Sequence, residues 1–249
     1  MSHPNTDTKP PRMPEWFEDW FTEEYLHLYP HRDEAEAQQL VALLEGVIPW
    51  GEAWRVLDVA SGAGRHMRAL ARNGAHVIGL DLSPGLLKQA CAQGHENLVR
   101  ADMRALPVRK ESMDLTVNLF TSFGYFATDA EHASALEQMV GSVRHGGWFA
   151  MDFLDAAHVR RSLVPEATMV LGGAEVKVKR RITEDDRFVV KHILTADGRE
   201  YMERVRLFSS SELEAMLAAA GLEVTARFGD YAGAPIGQGA RAILVGRRT

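Results

Sequence analysis

Arg55–Val56–Leu57–Asp58–Val59–Ala60–Ser61–Gly62–Ala63–Gly64–Arg65–His66 is the stretch that decides how this chain folds. A short apolar run ends in an acid, breaks into small residues and passes into a helical pattern carried by Met67, Leu70 and Ala71. That is a strand, a tight turn and a helix start, the layout of a nucleotide-type binding loop. Gly62 and Gly64 let the backbone approach a ligand closely, and the helix N-terminus behind them favours an anionic group.

Outward from this stretch the chain alternates. Strands are expected at Arg55–Val59, Ala75–Leu80, near Asn97–Arg100, at Asp114–Leu119 and at Trp148–Phe153. Helices are expected from Gly64 to Asn73, after the capping Ser83 with Pro84 at the first helical position, and over Ala130–Val143. Strand alternating with helix implies an α/β fold with a doubly wound, mostly parallel sheet covered on both faces. The rhythm breaks after Pro165. Ala174–Ile182, Arg187–Thr195 and Glu200–Phe208, separated by Glu184–Asp185–Asp186 and Asp197–Gly198, predict an inserted antiparallel three-strand meander. Ser209 and Glu212 have capping-box spacing before a helix ending at Gly221, and Glu223–Phe228 with Ala240–Gly246 predict a closing hairpin. At the other end, Trp16 to Leu28 spaces its aromatics for one amphipathic helix or two short ones, a lid, and Asp33 to Val47 is a second helical pattern. The expected division is a flexible tail at 1–15, a main domain at 16–164 and 209–249, and the meander at 165–208.

Composition narrows the function. The formal charge of −6 argues against a broad electrostatic grip on nucleic acid. The pairs Arg180–Arg181, Arg204 with Arg206, and Arg247–Arg248 read more simply as solvated strand faces. Lys177, Lys179 and Arg181 alternate with Val176, Val178 and Ile182 in the same sense, leaving monomer and homodimer both open. No apolar run approaches the roughly 18 residues of a membrane helix, so no membrane partner is expected. The proline-rich N-terminus lacks the apolar centre of a secretory signal. Cys91, the single cysteine, excludes an internal disulfide and a cysteine-cluster metal site, and no metal is expected. Its helical context reads as a small core residue, and a reducing, cytoplasmic location is expected.

Further acids extend the first loop into a constellation. Asp81 ends strand two, where a carboxylate accepts hydrogen bonds from a ribose diol. After strand three, Asp102 beside Met103 suits an adenine edge and face. Asn118–Leu119–Phe120 lines the far side. A dinucleotide fingerprint needs a third glycine where Met67 stands, which argues against NAD and FAD.

The arrangement resembles the class I S-adenosylmethionine-dependent methyltransferases. The first motif of that family is matched by Asp58–Val59–Ala60–Ser61–Gly62–Ala63–Gly64, with Ala60 replacing the first glycine. Later motifs are matched by Ile78–Gly79–Leu80–Asp81–Leu82–Ser83, by Arg100–Ala101–Asp102–Met103 and by Asp114–Leu115–Thr116–Val117–Asn118–Leu119–Phe120. The likeness covers about Tyr25 to Asp155 and, more loosely, the final hairpin. It implies S-adenosyl-L-methionine as cofactor and a seven-stranded sheet whose last strand is antiparallel. It also implies roles: Ala60, Ser61, Gly62 and Gly64 for the methionine moiety, Asp81 for the ribose, Leu82 and Met103 for the adenine faces, and Asp102 for the adenine amino group. Tyr25–Leu26–His27–Leu28–Tyr29–Pro30–His31–Arg32 resembles the lid segment of small-molecule N-methyltransferases, in which Tyr29 and Arg32 would touch the carboxylate end of the cofactor.

An activated methyl donor needs mainly alignment and exclusion of water. Tyr125, after strand four, is a candidate to orient an acceptor or take its proton, and Asp152, ending strand five, to bind a cationic amine. Asp155 fits a helix cap as well as a site. His132 and His158 lie on helical patterns, where packing competes with a direct role. The acidic-proline-proline-tyrosine signature for amino groups of nucleic acids or glutamine is absent after strand four. The expected acceptor is therefore a small molecule, methylated on nitrogen or oxygen. A tRNA or rRNA methyltransferase and a catalytically silent cofactor-binding module are the alternatives.

Overall fold

The computed structural model describes residues 15–22, 25, 34–171 and 173–249. Two sheets organise them. The larger has seven strands in the order β10-β11-β5-β4-β1-β2-β3. These are β1 (Arg55–Val59), β2 (His76–Asp81), β3 (Leu98–Arg100), β4 (Met113–Asn118), β5 (Val143–Leu154), β10 (Leu222–Phe228) and β11 (Arg241–Arg248). β1 to β5 pair in parallel, while β11 runs antiparallel to both β5 and β10. The expected parallel sheet with one reversed strand is therefore present.

Alternation along the strands sends side chains to two cores, one on each face. Val56, Leu115, Val117 and Ala150 pack with Leu40, Leu44, Met67 and Leu70, from α2 (Glu34–Glu45) and α3 (Arg65–Leu70). Leu57, Val59, Phe149, Met151 and Phe153 pack with Leu136, Met139, Leu213 and Leu217, from α5 (Asp129–Ser142) and α7 (Ser210–Ala219). The helix starts follow local chemistry. Ser83 accepts a hydrogen bond from the Leu86 amide to cap α4 (Pro84–Ala92), and both Thr128/Glu131 and Ser209/Glu212 close reciprocal capping boxes. Such a cap stabilises a helix by about 1 kcal/mol. Asp155 caps α6 (Ala156–Ser162) through the His158 amide, the cap role of the two its position allows.

The smaller sheet has the order β6-β7-β8-β9, formed by β6 (Glu166–Leu171), β7 (Ala174–Ile182), β8 (Phe188–Thr195) and β9 (Glu200–Arg206). The expected meander of three strands is thus a sheet of four. β6 begins directly after Pro165, in a stretch without strict alternation. As an outer strand it pairs with β7 alone among the described residues, so little in its pattern announces it. The buried face of this sheet, Val176, Val178 and Ile193, packs against Trp20 of α1 (Trp16–Trp20) and against Tyr25. The Trp20 indole also donates to Glu203 Oε1 at 3.0 Å.

One further expectation is corrected. Cys91 is exposed, not a core residue, because α4 buries Leu86, Leu87 and Ala90 and turns position 91 to solvent. No helix among the described residues is long and apolar enough to cross a membrane.

Candidate active site

Parallel strands place the loops that follow them on one side of the sheet. Here the carboxyl ends of β1, β2, β3 and β4 surround a single cavity of about 540 Å³. That lies within the roughly 300–1,000 Å³ of small-molecule sites.

The β1–α3 loop forms its floor. Ala60 and Gly62 adopt left-handed backbone, φ 61° and 57°. A Cβ on Gly62 would meet nothing nearer than Leu86 Cδ1 at 3.9 Å, so the space above it is open. The Gly62 amide donates to Asp81 Oδ2 and the Ser83 amide to Asp81 Oδ1, both at 2.8 Å. Asp81 thereby ties the end of β2 to the glycine loop. Burial raises its carboxyl above the ordinary value, and the backbone amides of Ser83, Gly62 and Leu82 oppose that rise. Beneath it Asp58 is fully enclosed. Burial first, then the neighbouring Asp81, pushes its carboxyl up to about 8, against the pull of Arg65. Asp58 Oδ2 and Ser61 Oγ are buried without hydrogen-bond partners.

The end of β3 supplies Asp102 and Met103. Arg104 grips Asp102 from its backbone amide at 2.8 Å and from Nη2 at 2.6 Å. The same guanidinium reaches Glu15 at 2.6 Å and Glu131 at 2.8 Å and lies over the Phe126 ring. One cation thus joins the loop after β3, helix α5 and the residue preceding α1.

After β4 the wall is Leu119, Phe120, Ser122 and Tyr125. Phe120 and Thr121 are successive non-glycine residues in the left-handed region, φ 59° and 60°. Each such residue costs about 1–2 kcal/mol, so the turn persists only if its surroundings fix it. The Tyr125 hydroxyl donates to the Thr121 carbonyl at 2.5 Å. Over the cavity lie Phe17 and Phe21 with Tyr25. Phe21 stands 5.5 Å from the Tyr125 ring and 4.9 Å from Tyr25, centroid to centroid, and the Trp16 indole donates to the Tyr125 carbonyl. Arg65 and His66 complete the wall. Arg65 lies 4.0 Å over the Phe120 ring and pairs with Glu36 at 3.2 Å. His66 is held neutral: burial, then Arg65 and Arg241, bring its pKa down to about 3.

A sequence profile described as a methyltransferase domain matches residues 56–147, from β1 into β5. Over 205 residues the chain is 30% identical to a dTDP-3-amino-3,6-dideoxy-alpha-D-glucopyranose N,N-dimethyltransferase of Streptomyces fradiae, covering 76% of this chain and 77% of that protein. The chain belongs to the S-adenosylmethionine-dependent methyltransferases. Solved structures agree in fold. The CcbJ methyltransferase of Streptomyces caelestis superposes with a TM-score of 0.77 at 19% identity, over 92% of this chain and 98% of that one. CalS10, an amino pentose methyltransferase from Micromonospora echinaspora in its SAM-bound form, gives 0.65 at 26% identity, over 96% and 100%. S-adenosylmethionine is the cofactor of this methyltransferase.

The methyltransferase cavity gathers most residues singled out in the sequence. Ala60, Ser61, Gly62, Asp81, Leu82, Asp102, Met103, Leu119 and Tyr125 line it. Asp58, Gly64 and Asn118 lie off its wall. Gly64 has φ 87°, and a Cβ there would strike the His95 ring at 2.5 Å, so this glycine serves close packing. Asn118 is fully buried and donates to the Val59 carbonyl at 3.1 Å, fastening β4 to β1. Tyr29 and Arg32 fall outside the described residues. Asp152 requires a correction. It is 0% exposed, lies off the cavity wall and is ion-paired to Arg241 Nε at 2.7 Å, so it is not placed to receive an amine. His132 is a core residue, accepting from the Phe126 amide among Phe123, Phe126 and Phe208. Phe120 lines the cavity as its place after β4 implies, while Arg65 and His66 are wall residues without a role of their own in the sequence pattern. The latter two follow the second glycine directly, which was the available signal; the backbone of Phe120 has none.

Proposed function

We propose that this methyltransferase methylates the amino nitrogen of a small molecule, an amino sugar carried on a nucleotide. The observation that carries the reading is the match over 77% of a relative named for such an acceptor. The CalS10 structure, described as an amino pentose methyltransferase, supports it. So does the cavity, whose outer side is aromatic: Phe17, Phe21, Tyr25 and Tyr125 offer ring faces to an amine that becomes cationic on methylation.

The residues present fit the cofactor. Gly62 leaves open space above the loop, Ser61 Oγ is an unsatisfied buried group beside it, and each oxygen of Asp81 accepts one backbone amide and keeps capacity for another donor. In this reading Asp81 holds the ribose hydroxyls, and Ala60, Ser61 and Gly62 hold the methionine portion. Leu82 and Met103 cover the adenine faces, Asp102 meets the adenine amino group, and Leu119 closes the far side. Asp58, Gly64 and Asn118 shape this surface from beneath. S-adenosylmethionine, when bound, supplies an activated methyl group on a sulfonium.

The chain itself aligns and shields. Alignment of reacting groups lowers a barrier by about 7–11 kcal/mol, which makes a strong base unnecessary. The aromatic cover over the cavity excludes water. The Tyr125 hydroxyl donates its proton to Thr121, and Tyr125 lines the cavity, so in this reading its oxygen serves the amine as an acceptor. It can take an N–H of the amine and turn the lone pair toward the methyl group. The test is turnover of dTDP-3-amino-3,6-dideoxy-α-D-glucopyranose with the methyl donor, read by mass spectrometry. Singly and doubly methylated products are expected. Tight cofactor binding without methylation of this or any amine in a panel of amino sugars would overturn the acceptor assignment.

A further inference from the structure

Asp152 is an acid without a place in the chemistry above, yet it is among the most heavily bonded side chains near the cavity. Its Oδ1 accepts from Arg241 Nε at 2.7 Å. Its Oδ2 accepts from the Tyr231 hydroxyl at 2.9 Å and from the Phe120 amide at 3.0 Å. Its own carbonyl accepts from the Thr121 amide at 2.8 Å. Asp152 therefore engages both left-handed residues of the turn after β4, one through its side chain and one through its backbone. Two distant segments hold the carboxylate in turn: β11 through Arg241, and the loop between β10 and β11 through Tyr231.

The bonds form a directed series. Arg241 and Tyr231 fix Asp152, Asp152 fixes Phe120 and Thr121, and the Thr121 carbonyl accepts from the Tyr125 hydroxyl. Phe120 and Tyr125 are both cavity wall, while Asp152 is not. The ribose-side contacts are separate: Asp81 bonds Gly62 and Ser83 and shares no hydrogen bond with this series. A backbone in a sparsely populated conformation keeps its shape only where several bonds over-determine it, and charge-assisted bonds from one carboxylate do that here.

We propose that Asp152, clamped by Tyr231 and Arg241, is a positioning residue that sets the Phe120–Tyr125 wall on the acceptor side of the cavity, independently of the cofactor side. The assignment of that wall to the acceptor rests on the function proposed above. The linkage of Asp152 to the turn does not.

The test uses the full chain with S-adenosylmethionine bound and two variants, Asp152→Asn and Tyr231→Phe. Asparagine keeps the shape but presents an amide nitrogen to one set of donors; phenylalanine removes a single bond to the carboxylate. Hydrogen exchange of the segment 120–125 is expected to quicken by about tenfold or more in Asp152→Asn, and by less in Tyr231→Phe. The segment 55–62 and the cofactor dissociation constant are expected to stay within about threefold of wild type, since local opening leaves distant units protected. With the dTDP-amino sugar as probe, kcat is expected to fall and the acceptor KM to rise while the cofactor KM holds. Unchanged exchange at 120–125, or uniform acceleration across the chain, overturns the proposal. So does a loss of cofactor affinity as large as the change in exchange. If the wild type does not turn over the probe, the acceptor assignment fails alone, and the exchange result still decides the role of Asp152. Should Asp152→Asn fail to fold, Tyr231→Phe and Arg241→Lys carry the same comparison.

Discussion

Replacing Asp81 by alanine separates what this carboxylate does for the fold from what it does for the cofactor. In the structure it accepts the Gly62 and Ser83 amides. Gly62 is half-buried beside the cavity, where water can take over its amide; the contact with Ser83 is buried. An orphaned buried amide costs about 1–3 kcal/mol. Against this, the substitution removes a carboxyl that burial already penalises. The net loss of stability is therefore expected at about 1–2 kcal/mol, at the low end of that range. Cofactor binding should suffer far more. Two ribose hydroxyls bonded to a charged acceptor contribute about 1.5–3 kcal/mol each, so affinity should fall by about 10²- to 10⁴-fold at 1.4 kcal/mol per factor of ten. Calorimetric titration of the methyl donor, paired with chemical denaturation, reads both quantities. A folded Asp81→Ala protein binding within about threefold of wild type, less than 1 kcal/mol, would refute the assignment.

Two further outcomes follow from the same geometry. In the ligand-free protein, thermal stability should peak near pH 6.5. His66 and His132, at about 3 and about 4 against an ordinary 6.5, bind fewer protons folded than unfolded, so stability climbs as pH rises through that window. Asp58, at about 8 against 3.8, keeps its proton when folded, so it opposes the climb and, together with the raised Asp81 carboxyl, produces a fall above 6.5. Asp58→Asn should lessen that alkaline fall in a pH series of melting curves; a variant that declines as steeply as the wild type would dismiss the cause. Gly64→Ala should destabilise by about 1–2 kcal/mol through its left-handed backbone, plus the collision with His95. Denaturation of the double variant with His95→Ala should recover the collision and leave the backbone cost. Full recovery would mean that conformational strain at this position is negligible.

The site is legible in the sequence where local rules act. Glycines in the turn after β1, an acid closing β2 and a serine–proline pair opening α4 are short-range features whose meaning does not depend on distant segments. Asp81 and Asp102 fall where those features place them. The role of Asp152 is hidden in the sequence for the opposite reason. An acid at a strand end looks the same in sequence whether it faces a cavity or a half-buried arginine, and its partner Arg241 is 89 positions away. The strained pair Phe120–Thr121 has no compositional mark, since neither residue favours left-handed backbone and its support is tertiary. β6 is hard to read because its residues 166–170 are almost all exposed, so no buried face imposes alternation. Cys91 shows how a helical pattern without a fixed phase leaves one neighbour of a buried alanine ambiguous.

Met67 stands where a dinucleotide fold would carry its third glycine, yet α3 still packs tightly on the sheet. The clearance comes from the opposing surface. A Cβ on Gly79 of β2 would come within 2.9 Å of both the Met67 methyl and Ser61 Oγ, so the thioether occupies the notch the strand glycine leaves. Knob and socket have changed sides. Helix and strand share one allotment of volume, and either partner can supply the indentation provided the other fills it. Substitutions at 67 and 79 should consequently be tolerated in reciprocal pairs and punished singly.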